Sequence, residues 1–401
     1  MRVSTSQFFG TSVNAMLDNQ STLSKTQLQL STGRKILTPA DDPTGSDQIL
    51  NLNQLIDSTA QYQRNAGMAK SRQQLEESTL GSAGDLLQRV RELAVQANND
   101  SQTPDTRKAI AQELRQLRAQ LIQLANTRDT NGDFLFSGFN GKIQPFAETA
   151  SGQVQYSGDQ GTRYLQIGPT QMIADSDPGS AVFQGARNGN GTFVTSASVA
   201  NAGTGVFNPG TVTNPAAVLA HNYQINFTSA TTFDVVDTTT ATTVLAAQPY
   251  TDGGAIAFNG IQVSIGGAPA TGDSFTIAPS SHQDVFASVQ NVITSLETYT
   301  PNASGLAQMH NAMNQGLVNI DQAMQNIGDF RARAGARLNA IDSQKNSNDS
   351  LVLDAQSALS QVQDLDYAGA VSRLNQQMLA LQAAQQTFAK VQGLSLFNFL
   401  R

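Results

Sequence analysis

The strongest constraint on this chain comes from its two ends, which carry matching apolar seams with nothing next to them in sequence to cover either. Near the start, Met16, Leu23, Leu30 and Leu37 recur every seven residues, with Val13, Gln20 and Gln27 at the positions between. Near the finish, Val371, Leu374, Met378, Leu381 and Phe388 advance in steps of three and four, with Gln385 as the polar interruption. Such spacings line one stripe of an α-helix. Each stripe needs a cover, and the simplest cover for one is the other, so the two termini are expected to pair. Burying a large apolar side chain contributes about 1.5–3 kcal/mol, while fixing a residue's backbone costs roughly 1–2 kcal/mol before hydrogen bonding compensates. A lone helical pair is therefore marginal, and its order should depend on neighbouring copies. Val13, Met16, Leu23, Leu30, Val371, Leu374, Met378, Leu381 and Phe388 are the expected assembly interface.

Composition narrows the class. The 401 residues allow two or three domains, and 39% hydrophobic content without a long apolar run argues against membrane insertion. The opening residues lack a basic stretch followed by an apolar core, so a general secretory signal is not expected. With no Cys and no Trp, disulfides, thiolate metal sites and cysteine nucleophiles are excluded. A net charge of -7 leaves a nucleic-acid partner dependent on a local basic patch. The candidates are Arg34 with Lys35, and Arg331, Arg333 and Arg337. Asp329 stands four residues before Arg333, so a solvated or ion-paired helix face is the expected reading. His221, His282 and His310 fall in separate segments with no metal-ligand spacing, and no phosphate loop or serine elbow appears. Neither a cofactor nor a catalytic set is expected.

Helices and strands divide the chain unevenly. Asp42 before Pro43 suits a helix cap followed by proline at the first helical position, and Asp41 would favour the same positive helix end. No proline occurs from Thr44 to Thr103, and Leu80, Ala83, Leu87, Val90, Ala94 and Ala97 keep a helical rhythm, which predicts one long helix. Thr103-Pro104-Asp105 restarts the chain, and Ile110, Leu114, Leu117, Leu121 and Leu124 form a stripe expected to be buried within the chain. Asp129, Asn131 and Asp133 resemble a calcium loop without its glycine or terminal glutamate, and are read as a turn. From Gly141 to Ser280 the basic residues are Lys142, Arg163 and Arg187, amid alternating runs such as Tyr223–Phe227, Thr232–Val236 and Ile261–Ile265. These predict antiparallel strands. Gly185 to Pro215 is read as a long mobile connection. Ser281 to Asp284 has capping-box spacing before Val285, Val289, Val292 and Leu296. Beyond Pro301, the stripe Leu306 to Ile341 predicts a second very long helix, and Leu351 to Phe388 a third.

The residues also carry a family likeness. Met1-Arg2-Val3-Ser4-Thr5, Leu30-Ser31-Thr32-Gly33-Arg34-Lys35-Ile36 and Thr38-Pro39-Ala40-Asp41-Asp42-Pro43 resemble the N-terminal signature of the flagellin superfamily of bacterial axial proteins. The two prolines are a departure from flagellin itself toward its hook-associated branch. Phe134-Leu135-Phe136-Ser137-Gly138, Gly335-Ala336-Arg337-Leu338-Asn339, the closing Gln376 to Leu400, and Phe258-Asn259-Gly260-Ile261 with Gly267 to Ile277 are similar too. The resemblance implies a structural adaptor at the junction of hook and filament. It further implies export through the flagellar type III apparatus with a chaperone, self-association into a ring, and hook-associated protein 1 and flagellin as partners in an extracellular flagellum.

The expected fold is α+β: a terminal coiled-coil core from 1–44 and 365–401, a helical bundle from 45–139 and 281–364, and an inserted β domain over 140–280. A flagellin filament subunit is the alternative within this class. A secreted glycan-binding surface protein is the alternative outside it.

Overall fold

The computed structural model describes residues 5–393. In chain order its helices are α1 (Thr5–Thr32), α2 (Pro43–Ala97), α3 (Pro104–Ala125), α4 (Gly179–Phe183), α5 (Val285–Thr298), α6 (Ala303–Gln363) and α7 (Tyr367–Gly393). Strands fall between α3 and α5: β1 (Phe146–Glu148), β2 (Val154–Tyr156), β3 (Tyr164–Gln166), β4 (Met172–Ala174), β5 (Ala186–Arg187), β6 (Phe193–Ala197), β7 (Val206–Val212), β8 (Tyr223–Ser229), β9 (Thr232–Asp237), β10 (Thr242–Pro249), β11 (Ala255–Phe258), β12 (Ile261–Gly266), β13 (Ser274–Pro279) and β14 (His282–Gln283). The α+β class expected from the periodicities is the one found. Two compact units emerge, Met1–Arg64 with Gln344–Arg401 and Asn65–Ser343, so α2 and α6 each contribute residues to both.

In the first unit α1 packs along α7. The breaks between helices are fastened to each other: Lys35 N–H donates to Gln363 O at 2.7 Å and Leu365 N–H to Gly33 O at 3.0 Å. Gly33 ends α1 with a φ of 69°, the left-handed conformation that glycine adopts without strain. The boundaries expected at 44/45 and 364/365 lie at these breaks, whereas the compact units meet at 64/65 and 343/344.

The second unit has two cores. The bundle core joins Leu80, Leu87 and Val90 of α2, Leu114 and Leu121 of α3, Val289 and Ile293 of α5, and Met313 and Ile320 of α6. Thr103 caps α3, its hydroxyl accepting from Thr106 N–H at 3.2 Å, with Pro104 at the first turn as the sequence indicates. Phe146, Val182, Phe183 and Ala186 belong to the same core, and the rings of Phe136, Phe146, Phe183 and Phe286 pack mostly edge-on or tilted with centroids 5.2–5.8 Å apart. Residues assigned by composition to the β insertion thus build the bundle.

The β domain proper begins beyond the short pairing of β5 with β14. It has a five-stranded antiparallel sheet, β10-β9-β8-β13-β6, and a three-stranded one, β11-β12-β7. Period-two burial of Tyr223, Ile225 and Phe227 on β8 and of Ile261, Val263 and Ile265 on β12 supplies its separate core. The start of the open edge of β7 is met by α6: Asn311 Oδ1 accepts from Phe207 N–H at 2.8 Å, Asn311 Nδ2 donates to Gly205 O at 2.9 Å, and Asn314 Nδ2 donates to Phe207 O at 3.0 Å. Gln308 reaches Val199 O and Asn201 O, Asn319 accepts from Gly189 N–H, and Asn326 donates to Val182 O. One amide-bearing stripe of α6 therefore satisfies backbone groups along the insertion.

Three sequence expectations are corrected. Residues 185–215 are ordered into β5, β6 and β7, because their alternating Phe193, Thr195 and Phe207 are buried in the β domain. Asp284, rather than Ser281, caps α5, accepting from Phe286 N–H at 2.6 Å, since His282 and Gln283 are taken up in β14. The helix expected to end near Ile341 runs on to Gln363, because the polar run Ser343 to Ser350 contains neither glycine nor proline to stop it.

Candidate assembly interface

The terminal pair follows from the seams, but one chain covers them incompletely. Met16, Leu23 and Leu30 on α1 and Leu374, Leu381 and Phe388 on α7 are half-buried. The Phe388 ring meets Phe9 edge-on at 5.8 Å, an arrangement worth about 0.5–1.5 kcal/mol beyond area burial. Val13, Val371 and Met378 remain 39%, 46% and 42% exposed. The predicted set therefore separates into residues that join the two helices and residues that the described part of the chain covers only partly.

More apolar surface lies beyond that set. Leu17, Leu28, Leu50, Leu353, Tyr367 and Leu379 are exposed in the same unit. They escaped sequence reasoning because each sits off the three-four stripe, although Leu17 and Leu379 directly follow Met16 and Met378. A helix with apolar residues on two sides, when one side suffices for its partner, was the available signal. Among the described residues the buried apolar side chains of this unit are Ile36, Ala355, Leu365 and Ala370, so little else fixes it.

The proline-bearing loop organises the base of the pair. Asp42 caps α2, its carboxylate accepting from Gly45 N–H at 2.9 Å. Asp41 does not serve the same helix end. It accepts from Thr38 N–H at 3.0 Å and Leu37 N–H at 3.2 Å, and it pairs with Lys25 at 2.6 Å. The Lys25 ammonium, then the Thr38 amide, hold the Asp41 carboxyl down to about 2. Ile36 is buried over Gly45, where an added Cβ would stand 2.5 Å from its Cδ1. Both carboxylates accept from backbone amides, and Asp41 also pairs with a lysine.

The basic residues examined for nucleic-acid contact are likewise engaged. Arg331 pairs with Glu77, Arg333 lies 4.2 Å over the Phe330 ring, and Arg337 holds Asp177 with both nitrogens, whereas Arg34 meets Asp364 through a backbone β-bridge. Of the first three, expected on a solvated or ion-paired face, Arg331 and Arg333 are exposed and Arg337 is part-buried in its ion pair. Leu117, expected inside the bundle, is half-buried against its core and lines a surface groove of about 470 Å³ with Leu86 and Leu124, while Leu114 and Leu121 are fully buried.

Comparisons with known proteins fall on this architecture. The bacterial flagellin N-terminal helical region matches residues 3–141, the flagellin C-terminal helical region 317–400, and the D2-like domain of flagellar hook-associated protein 1 residues 196–279. Flagellar hook-associated protein 3 of Escherichia coli (strain K12) is 25% identical, with 99% of each chain covered. The solved flagellar junction protein FlgL of Legionella pneumophila is 33% identical, with 79% of this chain and 100% of that chain covered at a TM-score of 0.72. A flagellin of Clostridium tyrobutyricum is 34% identical but matches 30% of this chain.

Proposed function

The chain belongs to the flagellar hook-associated protein 3 family, and we propose that it is the structural subunit joining the hook to the flagellin filament of a bacterial flagellum. The supporting observation is a full-length likeness to that family in a chain whose terminal pair leaves Val13, Val371, Met378 and Leu379 uncovered. In a ring, neighbouring copies would bury those side chains, each contributing up to about 1.5–3 kcal/mol. Hook-associated protein 1 on one side and flagellin on the other are the partners, and binding is through apolar packing rather than catalysis. Export as an unfolded chain with its chaperone suits a terminal unit with so few buried residues of its own.

The test is deletion of the gene followed by electron microscopy. The expected outcome is hooks without filaments and flagellin shed into the medium, restored by the wild-type chain. The flagellin reading rests on likeness confined to the terminal helical regions. Growth of long filaments from the purified protein alone would establish it and displace the junction reading.

A further inference from the structure

Apart from the terminal pair, a closed charge cluster lies within the second unit. Arg72 of α2 pairs with Asp129 of the turn after α3 and, at 3.3 Å, with Asp175. Arg163 reaches Asp175 at 2.6 Å, and Arg337 of α6 holds Asp177 through two contacts of 2.8 and 2.9 Å. Three guanidiniums thus balance three aspartates. Glu76, completely buried on α2, is a fourth acid with no cation left for it. Its Oε1 accepts from Asp177 N–H at 3.0 Å and its Oε2 from Gln73 Nε2 at 3.1 Å; Gln73 also donates to Ala174 O at 3.1 Å. Among the described residues no cation lies within 4.0 Å of Glu76.

The surrounding charges are already committed. On α2 and α6, Lys70 pairs with Asp342 and Glu77 with Arg331; beside the turn, Asp133 pairs with Lys142; the Tyr164 phenol stands near Arg337. An ionised Glu76 would therefore place a surplus negative charge beside Asp177, out of water and competing for Arg337. A protonated Glu76 leaves the set neutral.

We propose that Glu76 is a proton-operated latch for the segment 163–177: protonated, it holds that hairpin strap against α2 and α6, and loss of its proton to an alkaline medium releases it. The strap carries β3 and β4, fastened to α2 by Asn65 donating to Gln166 O and by the Gln73 and Glu76 contacts. Burial first, then the charge of Asp177, raises the Glu76 carboxyl to about 8. The sign follows from linkage. An acid whose folded value lies above its unfolded one stabilises the closed form fully below the unfolded value, and that stabilisation is lost as pH rises toward the folded value.

The experiment uses the full-length wild type and Glu76→Gln, which keeps the shape and removes the charge. Trypsin cleavage at Arg163 reports strap opening, and the wild-type rate is divided by the variant's rate at each pH to cancel the protease's own dependence. The expected ratio climbs roughly tenfold per pH unit between about pH 6 and 8 and levels above. A flat ratio overturns the proposal. If the variant fails to fold, an infrared titration of the wild type decides: a protonated-carboxyl band persisting at about pH 6.5 and fading near pH 8 supports the latch, and its absence overturns it.

Discussion

Helices α5 and α7 carry apolar stripes of the same kind and meet opposite fates. On α5, Val285, Phe286, Val289, Val292, Ile293 and Leu296 are all buried, within a core to which α2, α3 and α6 contribute. On α7, Ala370 is buried, the Leu374, Leu381 and Phe388 side chains are half-covered by α1, and Val371, Met378 and Leu379 face outward. Period therefore reports that a helix wants a cover but not whether the cover belongs to the same molecule. The answer lies in how many other stripes the chain can bring to it.

The sharpest way to break this contrast is to place a charge on each side of it. Leu114→Asp strikes a fully buried site; desolvating the carboxylate costs several kcal/mol, and the lost packing adds roughly 2–5 kcal/mol. The isolated protein should lose its cooperative melt. Retention of a wild-type melting temperature would mean that the bundle does not carry the fold.

Excision sharpens the boundary. Removing 188–280 with a short linker cuts at the β5–β14 neck and should leave the helical signal in circular dichroism largely intact. Removing 140–280 deletes Phe146, Val182, Phe183 and Ala186 from the bundle core, and should cost most of that signal because large core deletions cost roughly 3–5 kcal/mol per aromatic. Equal behaviour of the two variants would erase the distinction between insertion and bundle.

Phe388→Asp tests the other half. In the monomer it removes a half-buried edge-to-face contact with Phe9, worth about 0.5–1.5 kcal/mol beyond area burial, so the thermal melt should shift far less than that of Leu114→Asp. Motility complementation should nevertheless fail, because the carboxylate would meet an apolar surface in every subunit of the assembly. A motile strain, or a melt as damaged as that of Leu114→Asp, would show that the terminal pair is fixed within one chain. The smallest effect is expected from Asp41→Asn. Asp41 is ionised at neutral pH, and what it contributes is fully present above the ordinary value of 3.8 and is lost as pH falls from there through about 2. At neutral pH the variant should speed hydrogen exchange at Thr38 and Leu37 without moving the global melt; unchanged exchange there would deny the loop its anchor.

Much of this was legible from residues close together. Asp42-Pro43 and Thr103-Pro104 announced helix starts, and the alternating Tyr223–Phe227 run announced β8, because caps and pleats depend on neighbours a few positions away. The pairing of α1 with α7 was legible at long range only because the two seams matched. That Arg337 is ion-paired was within the sequence reading, but its partner was not legible, because Asp177 is 160 residues away and nothing in the local pattern marks it. The latch acid Glu76 gave no signal either: it stands beside Glu77, which is part-exposed and paired with Arg331, and sequence cannot tell two adjacent glutamates apart. Of the apolar surface of the terminal unit, the stripe was readable, but the exposed Leu50, Leu353 and Tyr367 were not, since they belong to no repeat.

The amide stripe of α6 has a consequence for crowding. A free strand edge is a template on which any other extended chain can dock, and subunits that gather as incompletely folded chains meet that hazard at its worst. Asn311 and Asn314 occupy the hydrogen-bonding groups of Phe207 from within the molecule, so β7 offers a newcomer nothing there to pair with. Helix side chains acting as a surrogate strand let the protein carry an edge strand whose Phe207 leaves no backbone group free for another extended chain.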